Sequence, residues 1–465
     1  MAIKWGLLKK SCYTDFFIVK GIMQTKKDRV QSRMMLLPPL EEFIPEDHHI
    51  RRLNGVLDLS FVHEAVRECY CQDNGRPSID PEVIIRLFLL QAVEGIEHIR
   101  DLLRQVAVNL AYRWFIGYDL DEKLPDHSTL SRALDRFGDE VFDRLFERSI
   151  AQCQASGLIE GRVLHLDATT IRADIDRDWV GKPDSSDPDA RYGHFPNGKV
   201  LPGYKQQTVV DGKSRVIVGL EVVPADRHES QDAVDVIDQA TARLGSSPEA
   251  ICADAAYASG ANKAALEDRA IRLVSPPPKA KTYTGNAFFS IEDFEYDESK
   301  DSFICPAGAT LTNKGAVKDE PWQYRYRCGP SICGKCKLKA KCTIGRYRQL
   351  HVSKNHGALI RLRADSKTES FHRLYRARAP VVEGIFAESK CWHGLRRAWR
   401  RGLAKMRVQC LLVAAAINFK RLIALFNPVD IIFSPITCLF FLFWKKLADF
   451  QPIQYSNTNL RLKCA

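Results

Sequence analysis

Two short apolar runs, each followed by an aspartate, constrain the fold of this 465-residue chain more than any other feature. Asp167 follows the run at 163–166, and Asp254 follows the run at 250–253. Both runs have the length and composition of buried strands. We therefore expect a sheet that holds Asp167 and Asp254 at the ends of two strands.

The segments around these runs predict a mixed α/β core. Residues 203–210 and 215–223 have the pattern of two strands, and Asp211-Gly212 between them is a strong hairpin signal. Residues 230–244 have helical periodicity, and a second helical pattern at 263–269 follows Asp254. Strands and helices thus alternate around the two aspartates.

A third acid, Glu383, lies on a predicted helix that starts near Pro380. Glu383 and Lys390 are seven positions apart, so they share one helix face. Tyr375 and Arg378 are three apart and offer an aromatic ring and a guanidinium group to a DNA base and its phosphate. Three converging carboxylates are suitable ligands for the two divalent ions that assist phosphodiester chemistry.

The separation of Asp254 from Glu383, 383 − 254 = 129 positions, is too large for one loop and predicts an inserted subdomain. This segment contains Cys-Pro-Ala-Gly at 305–308 and the closely spaced Cys333, Cys336 and Cys342. Such spacing suits one tetrahedral zinc ion with Cys305 as the fourth ligand. Cys328 competes with Cys305 for that role, and the alternative is a small core of reduced thiols.

Three motifs resemble those of bacterial insertion-sequence DDE transposases: HLDATTIRAD at 165–174, ADAAYAS at 253–259 and YRARAPVVEGIFAESK at 375–390. The last resembles the Tyr-Arg-Glu-Lys signature of that family. The resemblance implies an RNase H-like core in which Asp167, Asp254 and Glu383 hold two Mg²⁺ ions, with Mn²⁺ as a substitute. It also implies DNA contacts by Tyr375, Arg378 and Lys390, and it favours zinc, since related inserts carry this cysteine pattern.

The charge of the chain favours a polyanionic partner. It has 68 Lys and Arg against 57 Asp and Glu, a net charge of +11. Residues 393–407, HGLRRAWRRGLAKMR, predict a basic helix that tracks a DNA phosphate backbone, with a solvated helix face as the alternative. Its predicted DNA contacts are Arg396, Arg397, Arg400, Arg401 and Lys405.

Helical periodicity predicts an all-α N-terminal domain over residues 34–153, with helices at 83–94, 99–108 and 139–152. Residues 111–137 resemble the N-terminal module of the same transposases, and Asp126 or Ser128 caps a helix from Thr129. Trp114, Phe115 and Tyr118 either pack this domain or contact DNA.

The predicted fold is α/β: an RNase H-like mixed sheet with flanking helices, an all-α N-terminal domain and a small cysteine-rich insertion. The segments are an atypical extension at 1–33, the helical domain at 34–153, the first part of the catalytic core at 160–276, the insertion at 277–369, the C-terminal core helices at 370–426 and an atypical tail at 427–465.

Fourteen cysteines without a secretory signal indicate a reducing, cytoplasmic location. The apolar stretch at 431–444 is shorter than the roughly 20 residues of a membrane-spanning helix, so we expect no membrane association.

The function expected from these features is DNA transposition, with metal-dependent strand cleavage and strand transfer. The partners are double-stranded DNA, as element ends and target, and a second copy of the chain, since paired ends favour a homodimer. Two rivals remain: an RNase H-like nuclease that does not join strands, and a catalytically silent, transposon-derived DNA-binding protein.

Overall fold

The computed structural model describes residues 38–71, 78–278 and 288–426. The predicted atypical segments at 1–33 and 427–465 lie outside these residues. The described chain forms an α-helical N-terminal part, a mixed sheet flanked by helices, and an insertion with a second sheet. The predicted α/β class with a helical N-terminal region is therefore confirmed.

The N-terminal part consists of helices whose apolar faces form one core with the mixed sheet and the C-terminal helices. Asp126 caps α6, because its carboxylate accepts a hydrogen bond of 2.8 Å from the Ser128 N–H, as the sequence predicted. Trp114 and Phe115 pack in this core, Phe115 fully buried. The helices are α1 (His49–Val56), α2 (Val62–Ala65), α3 (Pro81–Val93), α4 (Ile99–Val108), α5 (Leu110–Ile116), α6 (His127–Phe137) and α7 (Glu140–Ala155).

The first sheet places three antiparallel strands beside two parallel ones. Strand β1 pairs antiparallel with β3 and parallel with β5; β4 pairs antiparallel with β3, and β6 pairs parallel with β5. The short β2 pairs antiparallel with the first residues of β3. The strands are β1 (Val163–Arg172), β2 (Arg191–His194), β3 (Val200–Asp211), β4 (Ile217–Pro224), β5 (Ala250–Ala253) and β6 (Arg272–Val274).

Two helices of this region follow strands of the sheet. Helix α8 (Ala233–Leu244) packs on β3 and β4, and α9 (Gly260–Glu267) connects β5 to β6. The predicted hairpin is confirmed, although its loop is longer than two residues. Asp211 holds that loop, because one carboxylate oxygen accepts from the backbone N–H groups of Lys213 and Ser214.

The insertion forms its own five-stranded antiparallel sheet, in the order β11-β10-β9-β8-β7. Its small core is separate from the main one and includes Phe303, Tyr326 and Cys328. Its elements are β7 (Glu295–Asp297), β8 (Ser302–Ile304), β9 (Thr310–Val317), β10 (Glu320–Arg327), α10 (Pro330–Gly334) and β11 (Gln349–Ser353).

The described residues end with four helices: α11 (His356–Asp365), α12 (Glu369–Arg376), α13 (Arg378–Trp392) and α14 (Leu403–Phe426). Helix α14 packs against α1, α3 and α7 and against β4. By length and hydropathy it resembles a membrane span, but 72% of its apolar window is buried inside the protein, as in a core helix.

The basic helix predicted over residues 393–407 is wrong in its first part. Residues 393–402 form turns, and α14 begins only at Leu403. Gly394 and Gly402 adopt positive φ, which ends helical geometry at both positions. Between them, Arg172 at the end of β1 exchanges backbone hydrogen bonds with Arg396 and Ala398.

Candidate active site

Strands β1 and β5 bring Asp167 and Asp254 side by side. In their parallel register Leu166 pairs with Ala253, so the next residue on each strand is one of the two acids. The prediction that Asp167 ends its strand is wrong, because β1 continues to Arg172 through its pairing with β3. Asp254 does follow β5 directly.

Asp167 is a largely buried carboxyl group. Burial raises its pKa to about 6, with a further upward contribution from the neighbouring Asp254. The Arg378 guanidinium and the Ala168 N–H oppose this increase. Two acids in such a setting attract a cation, since their charges are poorly solvated and close together.

Arg378 supplies that positive charge. Its Nη1 donates to Oδ2 of Asp167 at 2.6 Å, and the side chains are only 13% and 16% exposed. Arg378 opens α13, and its guanidinium lies 5.7 Å from the ring centroid of Tyr375. Tyr375 in turn stacks on Phe371. The predicted residues Tyr375 and Arg378 therefore reach the site of the two aspartates.

Asp254 is positioned by local hydrogen bonds. Its carboxylate accepts from the Ala256 N–H at 2.9 Å, and its carbonyl accepts from the Ser275 hydroxyl at 2.5 Å. The buried hydroxyl of Tyr257 makes no hydrogen bond within the described residues. Burial raises the pKa of Tyr257, and the charges of Glu229, Asp167 and Asp254 add to this increase.

Tyr257 and Ser275 are thus neighbours of the two acids, and Glu229 is a neighbour of Tyr257; none of these three residues was predicted from the sequence. Tyr257 stands inside the quoted ADAAYAS motif, which was the available signal. Glu229 forms an ion pair with Lys205 at 3.2 Å. The adjacent His228 bonds to Ser230 within its own turn, which agrees with a turn role for this histidine.

Glu383 is not brought to the two aspartates. Its side chain is exposed, and it lies five residues after Arg378, about 140° around the helix at 3.6 residues per turn. The side of α13 that packs inward carries Val382, Ile385 and Ser389. Among the described residues, no three His, Cys, Asp or Glu side chains lie close enough together to hold a metal ion.

A second acid of α13, Glu388, forms ion pairs that connect α13 to the next helix. It bonds to Lys420 at 2.6 Å and to Arg421, both on α14. Although burial alone raises the pKa of Glu388, a hydrogen bond with His393 and these two cations hold it well below its usual value. This cluster fixes α13 to α14.

The basic residues predicted to track DNA are mostly paired with acids. Arg397 and Arg401 bond to Asp174, while Arg400 and Lys405 approach Asp135. Arg396 is exposed and bonds to the carbonyl of Lys390. Burial, followed by the charge of Arg396, lowers the pKa of Lys390.

The cysteines of the insertion border one cavity of about 320 Å³. They are Cys305, Cys328, Cys333, Cys336 and Cys342. The Cys305 sulfur accepts a hydrogen bond from the Ala309 N–H at 3.3 Å. Burial raises the pKa of Cys328, and the neighbouring Cys333 and Cys305 add to this increase.

Comparisons with known proteins identify transposase domains in two parts of the chain. Residues 38–136 match the family model "Transposase domain (DUF772)", and residues 304–423 match the family model "Transposase DDE domain". The second match contains the cysteine cluster and the residues from Tyr375 to Lys390. Asp167 and Asp254 lie outside both matches, so their assignment depends on their position in the sheet.

Two solved transposase structures are distantly similar to the chain. The piggyBac transposase synaptic complex with hairpin DNA is 11% identical with a TM-score of 0.32, covering 80% of this chain and 76% of that one. The Mos1 transposase paired-end complex is 12% identical with a TM-score of 0.17, covering 43% and 61%. Similarity at these TM-scores does not support conclusions about the fold or the function of this chain. No curated protein sequence gives a significant match. On these matches, residues 38–136 and 304–423 are similar to transposase domains, the second of them to a DDE domain.

Proposed function

We propose that this transposase cuts the DNA strands at the ends of an insertion sequence and joins them to target DNA, with Asp167, Asp254 and Glu383 as its catalytic acids. The observation that carries the proposal is the position of Asp167 and Asp254, each one residue beyond the last pair of two adjacent parallel strands, with Arg378 of the matched DDE domain bonded to Asp167. The strand order, three antiparallel and two parallel, supports an RNase H-like core.

The donor set fits Mg²⁺, a hard cation that binds through carboxylate oxygens. Two bound ions would activate the attacking hydroxyl and stabilise the leaving oxygen of the phosphodiester. Asp167 and Asp254 would hold them, provided that Arg378 leaves the Asp167 carboxylate. Glu383 would join them after a rearrangement of α13, since its exposed side chain now lies on another side of that helix.

The DNA contacts follow from the same helix. Once released from Asp167, Arg378 would bind a phosphate, while Tyr375 and Lys390 position the transferred end. Two element ends must be handled together, which favours a homodimer on double-stranded DNA. The many reduced thiols among the described cysteines agree with a cytoplasmic location.

A structural zinc ion in the insertion is part of the proposal. Cys305, Cys333, Cys336 and Cys342 would supply a tetrahedral thiolate set once their side chains turn toward one ion, and the N–H to sulfur bond from Ala309 would orient Cys305. Metal analysis of the purified chain should find about one zinc per chain. Cys305→Ser should lose it and Cys328→Ser should keep it; the reverse result would make Cys328 the ligand, and absence of zinc from the parent chain would refute the site.

The catalytic proposal is tested by cleavage and joining of DNA that carries the flanking ends of its own gene, with and without Mg²⁺. Asp167→Asn and Glu383→Gln should bind this DNA and lose cleavage. Asp178→Asn makes the same change of charge at an exposed position and should keep activity.

The outcomes separate the rival functions. Mg²⁺-dependent joining by the parent chain, lost in both acid variants, supports the transposase. Cutting without joining identifies a nuclease. Binding with neither reaction identifies the silent DNA-binding protein, which the exposed position of Glu383 keeps as the second candidate. Cleavage retained by Glu383→Gln would remove that residue from the proposed site.

A further inference from the structure

The positive charge of the chain is concentrated in the insertion. Residues 305–354 contain eleven Lys and Arg against two Asp and Glu, a net charge of +9 within a chain whose total is +11. The preceding residues 288–304 are acidic, with six Asp and Glu against one Lys. The insertion therefore has one acidic part, formed by β7 and β8, and one basic part, formed by β9 to β11 and the cysteine cluster.

The acidic part faces the rest of the protein. Glu298, between β7 and β8, bonds to Arg361 of α11 at 2.5 Å, and Glu292 lies 3.8 Å from Arg363 of the same helix. Arg361 also bonds to Glu267 of α9, the helix that follows Asp254. These pairs attach the insertion to α11 and to the end of α9, and the backbone of Asn355 lies against Gly260 at the start of α9, six residues after Asp254.

The basic part has no such compensation. Within the described residues, no salt bridge links any of its eleven Lys and Arg side chains to a carboxylate. By contrast, most basic residues at 397–407 bond to Asp135, Asp139, Asp143 or Asp174. The cations of the insertion are therefore available to an anionic partner, whereas most of those at 397–407 are already neutralised by aspartates.

Seven of the eleven cations are exposed, and Arg325, Arg327, Lys339 and Arg348 are partly buried. Arg325 and Arg327 alternate with the buried Tyr326 on β10, so they project from the opposite side of the sheet, where His351 of β11 is the partner of Arg325. The cysteine-rich loop adds four exposed cations at 335, 337, 341 and 346.

Aromatic rings accompany these cations. Lys354 lies 5.4 Å from the ring of Tyr324, Arg327 lies 5.7 Å from the ring of Tyr347, and Trp322 is 60% exposed. A surface of this kind suits a polyanion with regularly spaced charges, since it combines many cations with flat groups and no acid pairs.

We propose that this basic face binds the sugar–phosphate backbone of double-stranded DNA. It is formed by Lys314, Lys318, Arg325, Arg327, Lys335, Lys337, Lys339, Lys341, Arg346 and Lys354. The inference rests on the proposed function and assigns the main electrostatic part of DNA binding to the insertion instead of residues 396–405. Because the insertion is attached beside α9, bound DNA would be held close to the strand end that carries Asp254.

The test compares two variants with equal loss of charge. The first changes Lys335, Lys337, Lys341 and Arg346 to Gln, and the second changes Arg396, Arg397, Arg401 and Lys405 to Gln. Binding of a 30-base-pair duplex is measured by fluorescence anisotropy without Mg²⁺, between roughly 50 and 200 mM salt, where backbone contacts dominate the salt dependence. Circular dichroism checks that both variants are folded.

For the insertion variant we expect an affinity loss of at least about tenfold and a salt slope shallower by roughly two to four, at about 0.9 per lost phosphate contact. The second variant should change affinity by less than about threefold. An unchanged slope in the first variant, or a larger loss in the second, would overturn the inference.

The result is independent of catalysis. If the parent chain neither cuts nor joins DNA while the insertion variant loses its salt-dependent binding, the proposed function fails and the DNA-binding face stands. If the parent chain cuts and joins DNA while that variant binds like the parent, the proposed function stands and the DNA-binding face fails.

Discussion

Arg378 occupies the position in which a cation would neutralise Asp167. The pair is short and mostly buried, and at an effective dielectric constant near 20 two unit charges 4 Å apart interact by about 4 kcal/mol. An approaching divalent ion must compete with this guanidinium for the same carboxylate. A DNA phosphate would draw Arg378 away, so metal loading and DNA binding should favour each other.

Replacement of this arginine should therefore strengthen metal binding in the absence of DNA. We expect Arg378→Gln to bind Mn²⁺ roughly tenfold more tightly at pH 8, about 1.4 kcal/mol, since Gln removes the competing charge. The measurement is a Mn²⁺ titration followed by electron paramagnetic resonance, without turnover. Arg376→Gln, an exposed neighbour, serves as the control and should bind Mn²⁺ like the parent. Weaker binding by Arg378→Gln would show that Arg378 assists the metal instead of opposing it.

Asn418 joins three elements through one buried side chain. Its Oδ1 accepts from the Ile217 N–H at 2.8 Å, and its Nδ2 donates to the Ile217 carbonyl at 2.9 Å and to the Ser149 hydroxyl at 3.1 Å. Helix α14 is thereby fixed in register against β4 and α7. An apolar side chain of similar size would leave these backbone groups buried and unsatisfied.

Asn418→Leu should lower the free energy of unfolding by about 3 kcal/mol, since each unsatisfied buried group costs about 1–3 kcal/mol. Urea unfolding followed by circular dichroism measures the change. Ile417→Leu, at the adjacent buried position, conserves volume and should cost less than about 1.5 kcal/mol. Equal effects of the two substitutions would mean that the hydrogen bonds of Asn418 contribute nothing beyond packing.

The helices and strands with clear periodicity were predicted well from the sequence. Asp254 at the end of β5, the β3–β4 hairpin and the helix at 99–108 followed from local patterns. The basic run at 393–402 did not, because its composition favours helix while its structure is set by distant residues. Arg172 of β1 holds that run by backbone hydrogen bonds, and Asp174 pairs with its arginines.

The start of α14 is also determined by residues that are distant in the sequence. The first N–H groups of the helix are capped from the loop between β1 and β2, because Leu403 N–H donates to Asp189 at 2.8 Å and Gly402 N–H to the buried Asp187 at 3.2 Å. Caps more than two hundred positions away cannot be inferred from local sequence. The direction in which Glu383 points could not be inferred from the sequence for a related reason, since a motif specifies the spacing along a helix but not its rotation against the sheet.

The N-terminal helices and the mixed sheet share one hydrophobic core, which bears on the predicted boundary near residue 153. Helix α14 lies between them, with α1, α3 and α7 on one side and β4 on the other. Its residues from Cys410 to Ile417 are all buried. The segment at 34–153 is therefore a unit in sequence but depends on the C-terminal helix for the completion of its core.

A fragment of residues 38–155 should consequently fail to form a rigid domain alone, because removal of α14 exposes the apolar faces of α3 and α7 to water at roughly 25 cal/mol per Å². We expect helical circular dichroism without a cooperative thermal transition, together with binding of a hydrophobic dye. Addition of a synthetic peptide of residues 403–426 should restore a cooperative transition, while the same peptide with Leu411 and Leu412 changed to Asp should not. A fragment that unfolds cooperatively without the peptide would show that the N-terminal helices form an autonomous domain and that α14 only docks on it.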